Sequence, residues 1–478
     1  MPSATTLVWF RDDLRLSDNP ALSAAVAVGK VACLYVLEET DEQRLLGGAS
    51  KWWLHHSLKS LADSLKKHHI DLILRRGDAR EILPDIANDI SAKNIFWNRR
   101  YDPASVTVDK QVMSDLRERG FEVSSFKANL LFEPWDVHTN NDEPYKVFSP
   151  FWKAALKSNK MRGPLAPPTK LTAEKVTEDA GVLDKFGLLP TQPDWSLGFN
   201  PVWRPGEIGA QARLDRFLTE NLRGYSEKRD NPQYDHTSGL SPHLRFGEIS
   251  PFQIWSAVYA HAGGEPDKDG WKFLSEIGWR EFSHTILFYA DRLAEKNWRS
   301  QFDAFPWEKD QPAFLTWTKG QTGYPIVDAG MRQLWQTGWM HNRVRMICAS
   351  FLIKHLLVDW RQGEKWFWDT LVDACPANNP ASWQWVAGSG ADAAPYFRIF
   401  NPFGQSEKFD PKGDYIRRWV PELSKLSSKD IHKPWEVSSS TLRAAGIELG
   451  ETYPKPIVEH GPARQRALDA FKAIKKFA

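Results

Sequence analysis

The first 126 residues of this 478-residue chain alternate short apolar runs with amphipathic stretches, and that alternation restricts the fold more than any other feature. Runs at 7–10, 31–37, 71–74, 94–97 and 122–126 read as buried strands. Stretches at 50–67, 80–89 and 104–119 carry apolar residues at helical spacing. Such an order implies a parallel sheet with right-handed crossovers. Ligands of these sheets gather at the carboxyl ends of the strands. No Gly-x-Gly-x-x-Gly follows the first run, so the dinucleotide fingerprint is missing.

From about 133 to 205 the composition shifts. Pro164, Pro167, Pro168, Pro190, Pro193, Pro201 and Pro205 break any long element, which predicts a long connector. Beyond 206 the strand signals fade. Helical spacing recurs at 207–222, 251–262, 271–289, 324–336, 341–357 and 363–372, and a basic amphipathic helix is expected at 464–477. The expected architecture is an α/β domain with a parallel, Rossmann-like sheet (1–132), a connector (133–205) and an all-α domain (206–478).

Several function classes are excluded early. No segment offers the roughly 18 uninterrupted apolar residues of a membrane span. The N-terminus has no basic region followed by a long apolar one, so a cytoplasmic location is expected. Cys33, Cys348 and Cys375 lie far apart and suit a reducing compartment. Three cysteines cannot supply a four-cysteine iron–sulfur cluster, and no metal is expected. The net charge of +2 argues against a histone-like polyanion binder but leaves room for a local basic groove. The chain has 23 Trp against 11 Tyr, so most tryptophans are expected in a bulky core. A minority can stack on bases or pass electrons.

Four stretches carry chemistry. In the first, Tyr225 to Pro232 and His236 to Leu244, the hydroxyls of Thr237, Ser238 and Ser241 stand beside Gly239. They can present donors to phosphate or simply cap a helix. In the second, Glu276, Trp279 and Arg280 share one helical face, which also allows a plain Glu–Arg pair on an exposed surface. In the third, Thr337 and Gly338 suit a helix start, placing Trp339, Asn342 and Met346 on one stripe with Arg343 beside it. An Asn and two Arg in an otherwise apolar helix demand partners. In the fourth, Asp373 can pair with Arg345, and Trp383 and Trp385 flank Gln384, ahead of Ala393 to Pro402.

Taken together, these stretches resemble the photolyase/cryptochrome family. The resemblance runs from Trp9-Phe10-Arg11-Asp12-Asp13-Leu14-Arg15 to Trp419-Val420-Pro421-Glu422-Leu423, nearly the whole chain. It implies that the helical domain holds FAD. By motif match Tyr225, Thr237, Ser238, Leu240 and Ser241 would line its phosphate and adenine side, with Arg280 near the flavin–phosphate region. Asn342, Arg345, Asp373 and Asn379 would surround the flavin ring, and Asn379 would neighbour the flavin N5. Many relatives carry Asp where this chain has Cys375.

The resemblance also implies a DNA substrate, a cyclobutane pyrimidine dimer flipped out of UV-damaged duplex. Trp279 and Trp385 would wall the dimer cavity, Glu276 would bond a pyrimidine carbonyl, and Asn342 and Met346 would complete the contacts. Arg229, Arg343 and Arg398 would hold phosphates. Trp383, Trp360 and Trp307 match the family's electron-transfer chain, with core packing as the alternative for each. A second, antenna chromophore is expected in the α/β domain, most simply 5,10-methenyltetrahydrofolate, with Glu38 and Asp102 as candidate partners.

Within the family, (6-4) photoproduct repair goes with two histidines where this chain has Asn342 and Met346. Plant cryptochromes usually carry Asp at the Asn379 position and long C-terminal tails. The implied subgroup is therefore the bacterial class III dimer photolyases, acting as a monomer. A blue-light receptor is the competing reading, and a plain flavoprotein electron carrier the third.

Overall fold

The computed structural model describes residues 4–176, 181–290, 292–393 and 397–474; the part of the fourth stretch at 394–396 and the last expected helical residues, 475–477, lie outside them. Strands β1 (Ala4–Phe10), β2 (Gly29–Leu37), β3 (Leu72–Arg76), β4 (Asn94–Asn98) and β5 (Glu122–Phe126) fall on the five apolar runs. They pair in the order β3-β2-β1-β4-β5, every pair parallel, with a two-residue strand β6 (Thr172–Ala173) added beside β2. The order reverses between β1 and β4, which opens the crevice typical of doubly wound sheets. In register there, Trp9 faces Trp97, with ring centroids 5.7 Å apart.

Helices α1 (Pro20–Val28), α2 (Gly48–Lys66), α3 (Ala79–Asp89) and α4 (Pro103–Glu118) are the crossovers. The connector is not all loop, because α5 (Phe148–Lys157) forms within it. Then come α6 (Glu207–Arg216), α7 (Pro251–Ala262) and α8 (Lys268–Tyr289). The longer helices that follow are α9 (Pro325–Thr337), α10 (Asn342–Lys354), α11 (Trp360–Thr370), α12 (Asn378–Ala387) and α13 (His460–Ile474).

One local reading is corrected. Thr337 and Gly338 end a helix rather than start one: Gly338 closes α9 at φ +66°, a left-handed cap that glycine adopts without steric cost. His341 then caps α10, its side chain accepting the Arg343 N–H. Trp339 therefore lies in the link between the helices, while Asn342 and Met346 do share a face of α10.

The chain divides into two compact units. One is Met1–Asp194 with Trp203–Arg223 and Ser238–Tyr289; the other is Trp195–Val202 with Gly224–Thr237 and Ala290–Ala478. This division differs from the composition boundaries at 132 and 205, and polar clamps explain why. Arg15 is fully buried. Its guanidinium donates to the carbonyls of Asp18 (2.9 Å), Ala128 (3.2 Å) and Gly247 (2.8 Å) and to Asn129 Oδ1 (3.0 Å). Glu207 accepts the N–H groups of Leu16 and Ser17, both at 2.9 Å. Trp53 Nε1 donates to buried Glu248 at 2.9 Å. Among the described residues no helix is long and apolar enough to cross a membrane. None of their His, Cys, Asp and Glu side chains form a metal-holding group.

Candidate functional site

In the second unit, α10 supplies the best-defined electrostatics. Arg345 lies one turn inside its N-terminus and forms a fork pair with Asp373, Nη1 to Oδ1 at 3.1 Å and Nη2 to Oδ2 at 2.8 Å. Its Nε donates to the Met340 carbonyl at 2.7 Å. Two parallel charge-assisted bonds fix the guanidinium plane, so the pairing expected of these residues is present.

Asn379 enters with the first turn of α12 and is buried. Its Nδ2 donates to Glu364 Oε1 at 2.8 Å and to the Glu364 carbonyl at 3.1 Å. An amide with its NH2 edge committed turns its oxygen, an acceptor, to the opposite side. Glu364 was not singled out in the sequence, yet a signal exists. It shares the buried face of α11 with Trp360, Phe367 and Trp368. An acid on an apolar face needs a partner. Just before α12, Cys375 Sγ accepts the Asn378 N–H at 3.5 Å, so the thiol takes up a helix-start donor.

Further along α12, Trp383, Gln384 and Trp385 divide their tasks. Gln384 is fully buried and donates to the Leu293 and Lys296 carbonyls at 2.7 and 2.9 Å, while accepting the Trp298 N–H at 2.8 Å. That anchor fixes the helix rotation. Trp385 is half-buried and donates to the Asp392 carbonyl at 3.0 Å. Trp383 is buried, and Gly363 of α11 makes room for it: a Cβ there would fall 2.2 Å from its ring. Trp360 is buried and donates to Asn297 Oδ1 at 3.0 Å. A backbone bridge between Glu308 and Val358 brings the Trp307 segment beside the segment leading into Trp360.

Two of the three expected phosphate-holding arginines share a carboxylate. Arg343 Nη2 meets Asp230 Oδ2 at 2.8 Å, and Arg229 Nε lies 3.8 Å from Asp230 Oδ1. Arg343 stacks on Phe409 at 4.4 Å and Arg229 on the ring of buried Tyr225 at 5.5 Å. Arg398 is exposed, as is Asn342, and Met346 and Thr237 are half-buried.

In the first unit, α8 carries Glu276, Trp279 and Arg280. The Glu276–Arg280 pair does not form. Glu276 pairs with Lys272 at 3.1 Å instead, and Arg280 Nη1 reaches the Asn129 carbonyl at 2.7 Å and Glu281 at 3.2 Å. Trp279 stacks on Phe148 of α5 at 3.9 Å, the ring planes nearly parallel. Glu281 also accepts the Phe132 N–H at 3.2 Å, and burial pushes its carboxyl up to about 7 against the pull of Arg280. Burial and then the Arg280 charge push His284 down to about 3, so it is neutral. Ser238 Oγ accepts the Leu240 N–H at 3.3 Å, so a local cap is part of its role; Leu240 is buried and Ser241 exposed.

At the sheet, Glu38 pairs with Arg100 at 2.7 Å with both side chains largely buried. Asp102 caps α4, accepting the Ser105 N–H at 2.9 Å. Buried Nε1 atoms of Trp9 and Trp97 find no hydrogen-bond partner. Trp9, Trp97, Arg100 and Asp102 lie within or after β1 and β4, which border the crevice, and Glu38 follows the neighbouring β2.

A guanidinium oriented by a carboxylate and an amide with one edge committed are groups that can meet the polar rim of a planar heteroaromatic ring. The comparisons bear on the family. Residues 273–473 match the family model described as the FAD binding domain of DNA photolyase, and residues 6–171 match that of DNA photolyase. The chain is 54% identical over 477 residues to a deoxyribodipyrimidine photo-lyase of Agrobacterium fabrum, covering 100% of this chain and 99% of that protein. It is 40% identical to Cryptochrome-1 of Arabidopsis thaliana, covering 98% of this chain and 70% of the plant protein. A crystal structure of a bacterial class III photolyase from Agrobacterium tumefaciens superposes with a TM-score of 0.96, at 54% identity, covering 100% of this chain and 98% of that one. Motifs, architecture and relatives converge: the chain belongs to the photolyase/cryptochrome family.

Proposed function

We propose that this protein is a class III photolyase that repairs cyclobutane pyrimidine dimers in DNA, driven by light. FAD, when held by the residues named below, would supply in its reduced state the electron that splits the cyclobutane ring, recovered once the ring has opened. The protein binds, orients and excludes water. Arg345, held by Asp373, places positive charge at the ring, with Asn342 beside it. Asn379 offers its acceptor edge to the N5 side. Tyr225, Thr237, Ser238, Leu240, Ser241 and Arg280 hold the rest of the cofactor.

The dimer contacts are Glu276, Trp279, Asn342, Met346 and Trp385, and Arg229, Arg343 and Arg398 take the DNA backbone. Trp383, Trp360 and Trp307 pass electrons inward when the cofactor is oxidised. For an antenna we favour 5,10-methenyltetrahydrofolate in the domain 1–132. Glu38 and Asp102 are the candidate partners there, the first already paired with Arg100 and the second capping α4.

The observation that carries this reading is Asn379, a neutral amide fixed by Glu364, where plant cryptochromes usually hold an acid. The test uses chemically reduced holoprotein and an oligothymidine with cyclobutane dimers, following base absorbance under blue light against a dark control. Light-dependent recovery is expected. No recovery with FAD bound would overturn the reading and put the blue-light receptor in its place.

A further inference from the structure

Asn342, Met346, Ser350 and Lys354 are successive members of one i+4 ridge of α10. The first two are proposed dimer contacts. The last two point to a different task. Lys354 is 2% exposed. Its Nζ donates to the Arg398 carbonyl at 2.6 Å and lies 4.2 Å from the centre of the Phe397 ring. Ser350, also buried, accepts the Phe400 N–H through its Oγ at 3.4 Å. Together they hold the backbone that follows the Arg398 Cα at two points, its own carbonyl and the Phe400 N–H, while Lys354 also packs on the Phe397 ring that precedes it. Ser350, Lys354, Trp385, Val386, Arg398 and Phe400 line one pocket, so the segment and a proposed dimer wall share a boundary.

A buried ammonium is an expensive way to gain stability. Desolvation is unfavourable, and one carbonyl and one ring do not replace a full shell of water. Burial, reinforced by the Arg398 charge, brings Lys354 down to about 7. Packing alone would be served by Met or Leu, and Phe397 is already stacked on Phe471 at 4.5 Å. What a single directional bond does well is fix one backbone atom, and that atom belongs to Arg398.

We infer that Ser350 and Lys354 are positioning residues for DNA binding: they seat the 397–400 segment on the ridge that presents Asn342 and Met346, and so fix where Arg398 meets the backbone of the damaged strand. The inference rests on the proposed photolyase function.

The test uses FAD-loaded full-length protein and a duplex containing one cyclobutane thymine dimer. The variants are Lys354→Met, Lys354→Arg, Arg398→Ala and the double variant Lys354→Met/Arg398→Ala. Lys354→Met is expected to weaken dimer-DNA affinity about 3- to 10-fold, the worth of one directional bond. The loss should appear in the DNA concentration needed for half-maximal repair rather than in the yield per photon at saturation. Lys354→Arg is expected to restore most of the affinity, and adding Lys354→Met to Arg398→Ala to change nothing more. Unchanged affinity in Lys354→Met, or effects that multiply in the double variant, would overturn the inference. If Lys354→Met does not fold, Ser350→Ala takes its place, with a loss of about 2- to 3-fold expected and no loss overturning the inference. Wild-type protein that fails to prefer dimer DNA would overturn the proposed function itself, a result distinct from wild-type preference with indifferent variants.

Discussion

Asn379 and Glu364 lock one amide in one orientation: both hydrogen bonds from the Asn379 NH2 run to Glu364, one to the carboxylate and one to the carbonyl of the same residue. Glu364→Leu keeps approximate volume but leaves a buried NH2 edge short of its carboxylate partner. The expected cost is about 1–3 kcal/mol of stability, with a lower repair yield per photon because the acceptor edge is no longer fixed. Thermal melts and single-flash repair assays measure the two effects. Full stability together with full yield would contradict the assignment.

Asp373 orients Arg345 through a two-bond fork. Asp373→Asn would turn an NH2 toward a guanidinium that needs acceptors. FAD affinity is expected to fall at least about tenfold, equivalent to ~1.4 kcal/mol. Fluorescence of flavin released on dilution reads this directly. Retention equal to wild type would mean that the pair has no part in cofactor binding.

Glu281 gives a pH signature. Burial raises its carboxyl from an ordinary value of 4.5 to about 7. The folded protein thus holds a proton that the unfolded chain has released, and stability falls as pH climbs from about 4.5 through about 7. Glu281→Gln removes this titration. The variant should gain on wild type across that window, by up to ~1.4 kcal/mol per pH unit, and the gap should be flat at higher pH. Paired denaturant titrations at about pH 5, 6, 7 and 8 test it. A constant gap would show that Glu281 keeps the same proton occupancy on unfolding.

Gly363 and Trp383 predict a contrast. A methyl at 363 would sit 2.2 Å from the Trp383 ring and 2.6 Å from Leu352. Gly363→Ala is expected to cost about 1–3 kcal/mol through overpacking, and to slow photoreduction of oxidised FAD by displacing the tryptophan. Trp383→Phe should abolish most photoreduction, at a cost of about 1–2 kcal/mol for the space left in the core, while chemically reduced protein still repairs dimers. Normal photoreduction in Trp383→Phe would return this residue to the core.

Strands β1, β2 and β4 were legible because they are buried on both faces and read as apolar runs; β5, expected as buried, has only Val123 buried and takes its place from the alternation. Helix α1 was not legible, since Pro20 to Val28 is apolar nearly all round and has little periodicity to detect. Helix α5 hid in a proline-rich stretch, so the stacking of Phe148 on Trp279 was invisible too. In the candidate site, motif-bound residues such as Arg345 and Asp373 could be paired on paper. Asp230 and Arg343 lie 113 positions apart, and no spacing rule in one sequence connects them. The Glu276–Arg280 alternative failed for a local reason: Lys272 and Glu281 were nearer partners for each.

The clamp on Arg15 bears on how this chain is made. Its guanidinium donates to carbonyls at 18, 128 and 247, so the five strands leave the ribosome before the last of these acceptors has been made. A nascent chain with all five strands translated still carries a buried donor that lacks its partner at 247. Completion of the N-terminal fold is thereby tied to synthesis of a segment more than a hundred residues further on. One acceptor of the Arg15 cluster thus comes from sequence well beyond the 1–132 boundary.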